Sequence, residues 1–570
     1  MSLLGASFQI GRSALAAYQS AAAIAGQNVA NLANPNYARQ TGRLSALVGG
    51  PVLGGVTPGA GVQLDRLLRH VDEALEGRLR TATGARGAAD VLYRALSEAE
   101  GRYNELSDTD LSSLLSGFFS QFAALETAPT ESGQRGLVLS NAEGLAQSLR
   151  RQRSGLLDQV ENLNREAETV VGRANDITAE IASLNELIVT QESDGRTSAS
   201  ALRDRRDGLL RELSEIMDVR SREHSTGAVS VYVGSSPLVD FNRSRELIAE
   251  RAIDEGVEIA RVRFADDHSG VSLAGGSLGG IQVARDVHLR AQLNDLDQLA
   301  NGLIYEVNRI HSTGVGQIGR DDSLGEYAVL DSAAALNTPQ AGLPFPVQNG
   351  TFIVHVRDRA TGQTITRQIE VDLDGLGGDD TSLDDLAEAL GNVPGLSASV
   401  TPDRRLSLSA SAGREFWFTE DSSGALAALG VNSLLTGVNA SDIAVSQALV
   451  EDPRLIAASV SGQLNDGSNA GRMALLGADD AASALLSGRS VSGHYESMIA
   501  GVAVDAAQAL TQFEAADVVH AGLTSQREAI SGVSLEEETV KLMQYEAAFQ
   551  GATRYLSVLD EMSNELLSLV

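Results

Sequence analysis

The longest regular pattern in the chain is a run of apolar residues at alternating spacings of three and four. Its members are Leu139, Ala142, Ala146, Leu149, Leu156, Val160, Leu163, Ala167, Val170, Ala174, Ile177, Ile181, Leu184 and Ile188. Only Arg153 interrupts it. A second run consists of Leu289, Leu293, Leu296, Ala300, Leu303, Val307 and Ile310. This spacing predicts long helices packed against other helices, and the stretches near 65–127 and 493–530 are expected to add more.

The first 33 residues keep the same spacing with smaller side chains. The apolar positions are Phe8, Gly11, Leu15, Tyr18, Ala22, Ala25, Val29 and Leu32. Gly and Ala let another helix approach closely but bury little apolar area. Because ordering the backbone costs about 1–2 kcal/mol per residue, this helix is not expected to be stable alone.

The segment from 534 to 570 is the natural partner for that helix. Ser534 and Glu537 stand in capping-box positions at its start, and its apolar positions are Leu542, Tyr545, Phe549, Ala552, Leu556, Leu559, Leu566 and Val570, with Ser563 as the one polar member. It carries seven acids against two basic residues, a net charge of −5, whereas no acid precedes Asp65. The two chain ends are therefore expected to pair, within one subunit, between neighbours, or both.

Between the helical stretches the pattern changes to short alternations of apolar and polar residues. Residues 228–264 and 345–420 alternate in this way with Gly, Ser and Pro between the runs, which predicts strands and hairpins. A short helix from Ser382 to Leu390 is expected inside the second stretch, with Ser382 and Asp385 in capping-box positions.

The predicted fold class is α+β and multidomain. A long coiled-coil-like helical bundle, built from N- and C-terminal segments, carries inserted β-rich domains. A chain of 570 residues is too long for one compact domain. The expected divisions are 1–64 with 532–570 (terminal helical assembly domain), 65–217 with 280–330 and 453–531 (helical bundle), 218–279 (β-rich), and 331–452 (inserted β-rich outer domain).

Composition excludes several classes of function. The net charge of −31 argues against binding nucleic acid or anionic lipid. The absence of cysteine excludes disulfides, thiol nucleophiles and Cys-ligated metals. No apolar run approaches the roughly 18 residues of a membrane span, and Arg12 interrupts what would be the apolar core of a signal peptide. We therefore expect a cytoplasmic protein or one exported without a cleaved signal, with no membrane insertion.

The stretch "VANLANPNYARQ", residues 29–40, ends the first helix in an unusual way. Pro35 keeps the preceding residue out of the α-region, so the helix is expected to end by Asn34. Asn36 suits a turn because asparagine tolerates a positive φ, and Tyr37 is expected to anchor the exit. Taken locally, an ordinary capped helix and turn explains the stretch equally well.

In a wider context, "QNVANLANPNYARQ" resembles the N-terminal motif of the flagellar axial proteins, which are the rod, hook and hook-associated proteins. Their motif reads Asn-x-Ala-Asn-x-x-Thr-Pro-Gly-Tyr, then Ser or Thr, then Arg. The matching residues here are Asn28, Ala30, Asn31, Pro35, Tyr37 and Arg39. Asn34 replaces Thr, Asn36 replaces Gly and Ala38 replaces the hydroxyl residue, and both asparagines preserve the turn chemistry.

The rest of the chain extends the resemblance. "SGVSLEEETVKLMQYEAAFQGATRYLSVLDEM" is similar to the C-terminal segment of the same family, and the segments 111–146, 201–219 and 275–286 look like those of its hook-associated members. The region 331–450 is the least specific part.

The resemblance implies a non-enzymatic structural adaptor at the hook–filament junction, outside the cell and exported unfolded by the flagellar type III system. The implied partners are copies of itself in a helical layer, the hook protein, hook-associated protein 3 and an export chaperone. The expected assembly seams are Phe8, Leu15, Tyr18, Ala22, Val29 and Leu32 at one end, and Leu542, Tyr545, Phe549, Ala552, Leu556 and Leu559 at the other, where the chaperone is also expected to bind. No cofactor is implied.

Two alternatives stay open. A hook or flagellin-type subunit would share the terminal motifs. A secreted serine hydrolase is the other, because Gly275 to Gly279 has the G-x-S-x-G pattern around Ser277. Gly314, Gly316 and Gly319 form a G-x-G-x-x-G, but a predicted helix precedes it rather than a strand. Asp372 to Asp380 has some likeness to a calcium loop, although Leu376 stands at a ligand position, and a plain acidic turn is preferred. No metal site is predicted.

Overall fold

The computed structural model describes residues 3–48, 59–103, 110–193, 198–478 and 481–568. Within these ranges the α-helices are α1 (Leu3–Ala30), α2 (Glu73–Arg102), α3 (Leu111–Thr127), α4 (Ser132–Gln191), α5 (Ser200–Ile216), α6 (Gly276–Val283), α7 (Arg290–His311), α8 (Leu383–Gly391), α9 (Ala425–Ala428), α10 (Gln447–Glu451), α11 (Ser468–Ala474), α12 (Val491–Ser531) and α13 (Leu535–Ser568). A π-helical turn, Ala284–Leu289, separates α6 from α7.

The strands described in the same ranges are short and antiparallel. They are β1 (Gln40–Ala46), β2 (Val62–Arg69), β3 (Val219–Glu223), β4 (Val229–Val233), β5 (Ser236–Asp240), β6 (Arg243–Ser244), β7 (Leu247–Asp254), β8 (Val257–Phe264), β9 (Asp322–Leu324), β10 (Gly350–Asp358), β11 (Thr364–Val371), β12 (Leu396–Val400), β13 (Leu406–Ala410), β14 (Arg414–Thr419), β15 (Leu435–Thr436) and β16 (Ala444–Val445).

The chain folds into two compact units. Unit 1 takes the residues up to Ala95, Glu161–Arg285 and those from Ala507 onward, and unit 2 takes Leu96–Val160 and Asp286–Ala506. The finer domain boundaries expected from the sequence stay a prediction.

Unit 1 brings the two ends of the chain together. Helix α1 packs against α13 and against the hairpin formed by β1 and β2. Helices α2 and α12 meet through a small apolar cluster of Leu75, Leu79, Ala82 and Leu523. The β1–β2 hairpin was missed by the sequence analysis, which expected helix from about residue 65, where the structure has β2. Its alternation is weak because both strands are mostly half-exposed.

The β-rich part of unit 1 is attached to α4 by asparagine side chains. Asn164 bonds to the Glu258 carbonyl and the Ala260 amide, and Asn175 bonds to both backbone groups of Leu247. Asn185 does the same with Val229. In each case the side-chain amide satisfies both a backbone N–H and a backbone C=O group of a strand, so these bonds fix the position of the strands along α4.

Unit 2 contains two three-stranded sheets, β11-β10-β14 and β12-β13-β9. Helix α8 packs mainly on β12 and also contacts β11, and Phe352 and Phe416 each make an edge-to-face contact with Phe418. Helix α8 begins with the predicted capping box: Ser382 accepts from the Asp385 amide and Asp385 accepts from the Ser382 amide. The predicted long helices appear as α4 and α7, and the α+β multidomain fold class is confirmed.

Candidate assembly site at the chain ends

Helices α1 and α13 approach each other closely. At Gly11 an added Cβ would lie 2.5 Å from Cδ2 of Leu556, so only glycine allows this approach without movement. The buried side of α1 continues through Ala17, Ala21 and Ala25. Such small side chains allow close packing and bury little area, but Ala17 and Ala21 of this buried line were not among the predicted seam positions.

The predicted N-terminal seam lies beside this buried line. Phe8, Leu15, Tyr18, Ala22 and Val29 are half-buried, and Leu32 is 46% exposed. The seam therefore keeps apolar surface accessible in the single chain.

The predicted C-terminal seam faces α1 along most of its length. Ala552 and Leu559 are buried, Tyr545, Phe549 and Leu556 are half-buried, and Leu542 is 37% exposed. The opposite face of α13 is also apolar, since Val540, Val558 and Met562 are exposed there. The helix thus has one apolar face covered by α1 and another that nothing in the described chain covers.

The turn motif closes on a buried asparagine. The hydroxyl of Tyr37 donates to Oδ1 of Asn28 (2.7 Å), and the Gln40 amide donates to the same oxygen (3.0 Å). Asn28 Nδ2 donates to the Gln40 carbonyl and to Oε2 of Glu538, both at 2.8 Å. Asn28 is fully buried, and both polar atoms of its side chain are hydrogen-bonded. These bonds join α1, the turn and α13.

Arg39 makes the second connection between the chain ends. Its Nε donates to Oε1 of Glu538 (3.1 Å) and its Nη2 pairs with Glu537 (2.8 Å), while its amide donates to the Ser531 carbonyl (2.9 Å). Lys541 also donates to Glu538 (2.8 Å). Asn28, Tyr37 and Arg39 were predicted as site residues, whereas Glu538 was not.

Burial and hydrogen bonding act in opposite directions on the pKa of Glu538. Burial alone would raise this pKa, but hydrogen bonds from Asn28 and Lys541 and the charges of Lys541 and Arg39 outweigh it, so the pKa is lowered. Burial, with the nearby charges of Asp204 and Glu538, raises the pKa of Tyr37 to about 12. Tyr37 therefore keeps its proton and donates to Asn28 at any physiological pH.

The remaining motif residues shape the turn. Asn31 Nδ2 donates to the Gln27 carbonyl (2.9 Å), and Asn34 Oδ1 accepts from the Asn36 amide (3.1 Å). Helix α1 ends at Ala30, before Asn34, as predicted. Asn36 does not adopt the positive φ on which its turn role was argued; its side chain accepts from Arg211 instead (2.7 Å).

Two arginines outside the motif hold the turn, and no sequence pattern indicated either of them. Arg211 and Arg527 bind the turn and share the carboxylate of Glu76. Their separations from Glu76 are 135 and 451 residues, so no local pattern could have indicated them.

The two glycines of the G-x-S-x-G pattern, Gly275 and Gly279, have ordinary surroundings, since an added Cβ would meet its nearest atoms at 3.5 and 3.4 Å. Their neighbours Gly276 and Gly280 are tightly enclosed. Gly276 has a φ of +72°, and a Cβ there would lie 2.3 Å from the backbone of Ile216. A Cβ at Gly280 would lie 2.5 Å from the Ala88 carbonyl. These positions need glycine because backbones approach closely, and Ser277 sits in the first turn of α6. Gly314 and Gly316 follow α7 and are similarly enclosed.

The acidic turn brings three carboxylates together. Oxygens of Asp372, Asp374 and Asp380 lie within 4.8 Å of one another. Asp374 accepts from the Leu376 amide and Asp380 from the Gly375 amide. Leu376 has a hydrocarbon side chain, so it supplies no ligand atom at the position where the calcium-loop pattern needs an oxygen.

Comparisons with known proteins identify the class of protein to which this chain is similar. The family model described as "Flagellar hook-associated protein FlgK helical domain" matches residues 96–324. The model described as "Flagellar basal body rod FlgEFG protein C-terminal" matches residues 525–569, which contain α13. The chain is a structural component of the bacterial flagellum, where proteins of this class associate with other axial components.

Within that class, one kind of protein resembles this chain along its whole length. Flagellar hook-associated protein 1 of Escherichia coli (strain K12) is 25% identical over 98% of both chains. Its namesake from Bacillus subtilis (strain 168) is 25% identical over 54% of this chain and 67% of its own. These similarities confirm the predicted resemblance and the predicted structural role.

A solved structure supports the fold. The flagellar hook junction protein FlgK from Burkholderia pseudomallei superimposes with a TM-score of 0.51 at 15% identity, covering 80% of this chain and all of that one. No helix among the described residues is long and apolar enough to cross a membrane.

Proposed function

We propose that this protein is the adaptor at the hook–filament junction, where copies of it form one helical layer through their terminal helices. The observation that carries this proposal is the buried junction of Asn28, Tyr37 and Arg39 with Glu538. It joins the two chain ends into a single structural unit, and the contacts are made by three residues of the axial-protein turn motif: Asn28, Tyr37 and Arg39.

Assembly is proposed to couple with folding of α1 and α13. Of the 34 residues of α13, three are buried: Glu538, Ala552 and Leu559. At about 1–2 kcal/mol of ordering cost per residue, so little burial favours helices that become ordered only when further surface is covered. The exposed apolar residues Val540, Val558 and Met562 provide that surface.

The same surface defines the proposed partners. Neighbouring copies cover the outer face of α13, and the layer contacts the hook protein on one side and hook-associated protein 3 on the other. Before assembly, an export chaperone covers the seam from Leu542 to Leu559. The chain reaches the outside of the cell unfolded through the flagellar type III system.

Gene deletion tests the proposal. Cells lacking the gene are expected to carry hooks without filaments in electron micrographs and to lose flagellin to the medium on immunoblots, and the wild-type gene is expected to restore filaments. Normal filaments on the deletion strain would refute the junction role.

A variant test then links the function to the site. Asn28→Leu removes the bonds to Tyr37, Gln40 and Glu538 and is expected to abolish restoration. Asn162→Leu, at an asparagine on the exposed side of α4, is the matched control and should restore filaments fully.

A further inference from the structure

The turn between α1 and β1 is bound by side chains from two other helices. Arg527 of α12 donates from Nη1 to the Pro35 carbonyl (2.8 Å), and Arg211 of α5 donates from Nη2 to Oδ1 of Asn36 (2.7 Å). Neither Pro35 nor Asn36 lies in a helix or strand. These two bonds therefore connect the turn to the helices of unit 1 independently of α13.

Both arginines also bind one carboxylate. Arg527 Nε donates to Oε1 of Glu76 (2.7 Å), and Arg211 Nη1 donates to Oε2 (3.0 Å). Glu76 belongs to α2 and is only 4% exposed. We call Glu76, Arg211 and Arg527 the Glu76 triad.

The triad has one more positive charge than negative charge. A buried guanidinium is stable only when its N–H groups are bonded, and a single carboxylate cannot bind all the donors of two arginines. The oxygens of Pro35 and Asn36 accept two of the remaining N–H groups. Releasing the turn would take these acceptors away from two partly buried guanidinium groups, and this cost favours the bound turn.

We propose that Glu76 is a positioning residue for the turn motif: through Arg211 and Arg527 it holds the turn on unit 1 before α1 and α13 pair. Arg527 is four residues from Ser531, the end of α12, whose carbonyl accepts from the Arg39 amide (2.9 Å). A held turn keeps the end of α1 beside the start of α13, which lowers the entropy cost of their pairing. This inference rests on the proposed function and specifies how the site is prepared for assembly.

Distance measurements between spin labels test the positioning role. Because the chain has no cysteine, Ala33→Cys and Arg78→Cys can be labelled selectively, and both positions are exposed. The full-length protein is expected to give one narrow distance distribution. Glu76→Gln is expected to broaden it, with about a tenfold rise in the released population, which corresponds to about 1.4 kcal/mol.

Glu415→Gln is the matched control. Glu415 is equally buried at 3% exposure and also binds two arginines, Arg357 and Arg359, but it lies in unit 2. It should leave the distribution narrow. A narrow distribution in the Glu76→Gln protein, or equal broadening in the control, would overturn the proposal.

A second variant covers the case in which Glu76→Gln unfolds unit 1. Asn36→Ala removes the Arg211 bond from the turn side and leaves Glu76 paired. Broadening without a change in melting temperature supports the role, and an unchanged distribution refutes it. The deletion experiment is independent of this test. If the wild-type gene restores filaments, the junction role stands even when the spin-label distances show that Glu76 does not position the turn.

Discussion

Helices α7 and α13 have similar apolar spacing and very different environments. In α7, thirteen of 22 residues are buried, among them Leu303 and Ile304. In α13 only three of 34 residues are buried, and one of these is the carboxylate Glu538. A heptad pattern therefore shows that a helix will pack, but not whether its own chain supplies the partners. Helix α7 has its partners within unit 2, whereas α13 has one small-residue helix and a polar junction.

The largest change in unfolding free energy is expected from a core truncation in α7. Leu303→Ala should lower the stability of the isolated protein by about 2–5 kcal/mol, because Leu303 is fully buried. Urea denaturation followed by circular dichroism measures this loss. The matched truncation Leu556→Ala on α13 should lower it far less, and equal losses would break the comparison.

Two glycines of α1 differ in their surroundings, and substituting each by alanine tests the contact between α1 and α13. Gly11→Ala should weaken the α1–α13 contact by about 1–3 kcal/mol, because the new methyl group must displace Leu556. Gly26→Ala meets nothing within 4 Å and should stabilise the helix by about 0.5–1 kcal/mol. The fraction of protein bound to isolated hooks at a fixed concentration is the measurement. Weaker binding of both variants would show that α1 tolerates no added methyl group anywhere.

Acid should separate the chain ends before it unfolds the cores. The folded-state pKa of Glu538 is lowered, so its contribution is complete above the unfolded value of about 4.3 and is lost as the pH falls through the folded value. In protein assembled on isolated hooks, the protection factors of the α1 amides against hydrogen exchange should therefore fall at acidic pH, below about 4. In Glu538→Gln protein the lower protection should already be present at pH 7, with little further pH dependence. Identical pH profiles for the two proteins would remove Glu538 from the junction.

The smallest change in monomer stability should accompany the largest loss of assembly. Phe549→Asp adds a charge to a half-buried position of α13, so the melting temperature of the monomer should stay nearly constant while filament attachment is lost. Calorimetry and electron microscopy of complemented cells give the two readings. A large fall in melting temperature would show that α13 belongs to the folded monomer.

The turn motif shows how far the sequence predicted the site. Asn28, Tyr37 and Arg39 were found because their types and spacing match a family pattern and suit a helix end followed by a turn. Glu538, which accepts from Asn28 and Arg39, stands among three consecutive glutamates, and only the packing of α13 on α1 decides which carboxylate is buried. The Glu76 triad lies outside any such pattern, because its members come from three different helices.

The sequence by itself determined the long helices, the cap of α8 and most strands, because these depend on residues within a few positions of one another. The capping box of α8 and the long runs of α4 and α7 are of this kind. Only the tertiary structure decided which strands are held by Asn164, Asn175 and Asn185, which face of α1 is buried, and which arginines hold the turn. Those contacts join residues far apart in the chain, and they are set by the three-dimensional packing of whole elements rather than by local propensity.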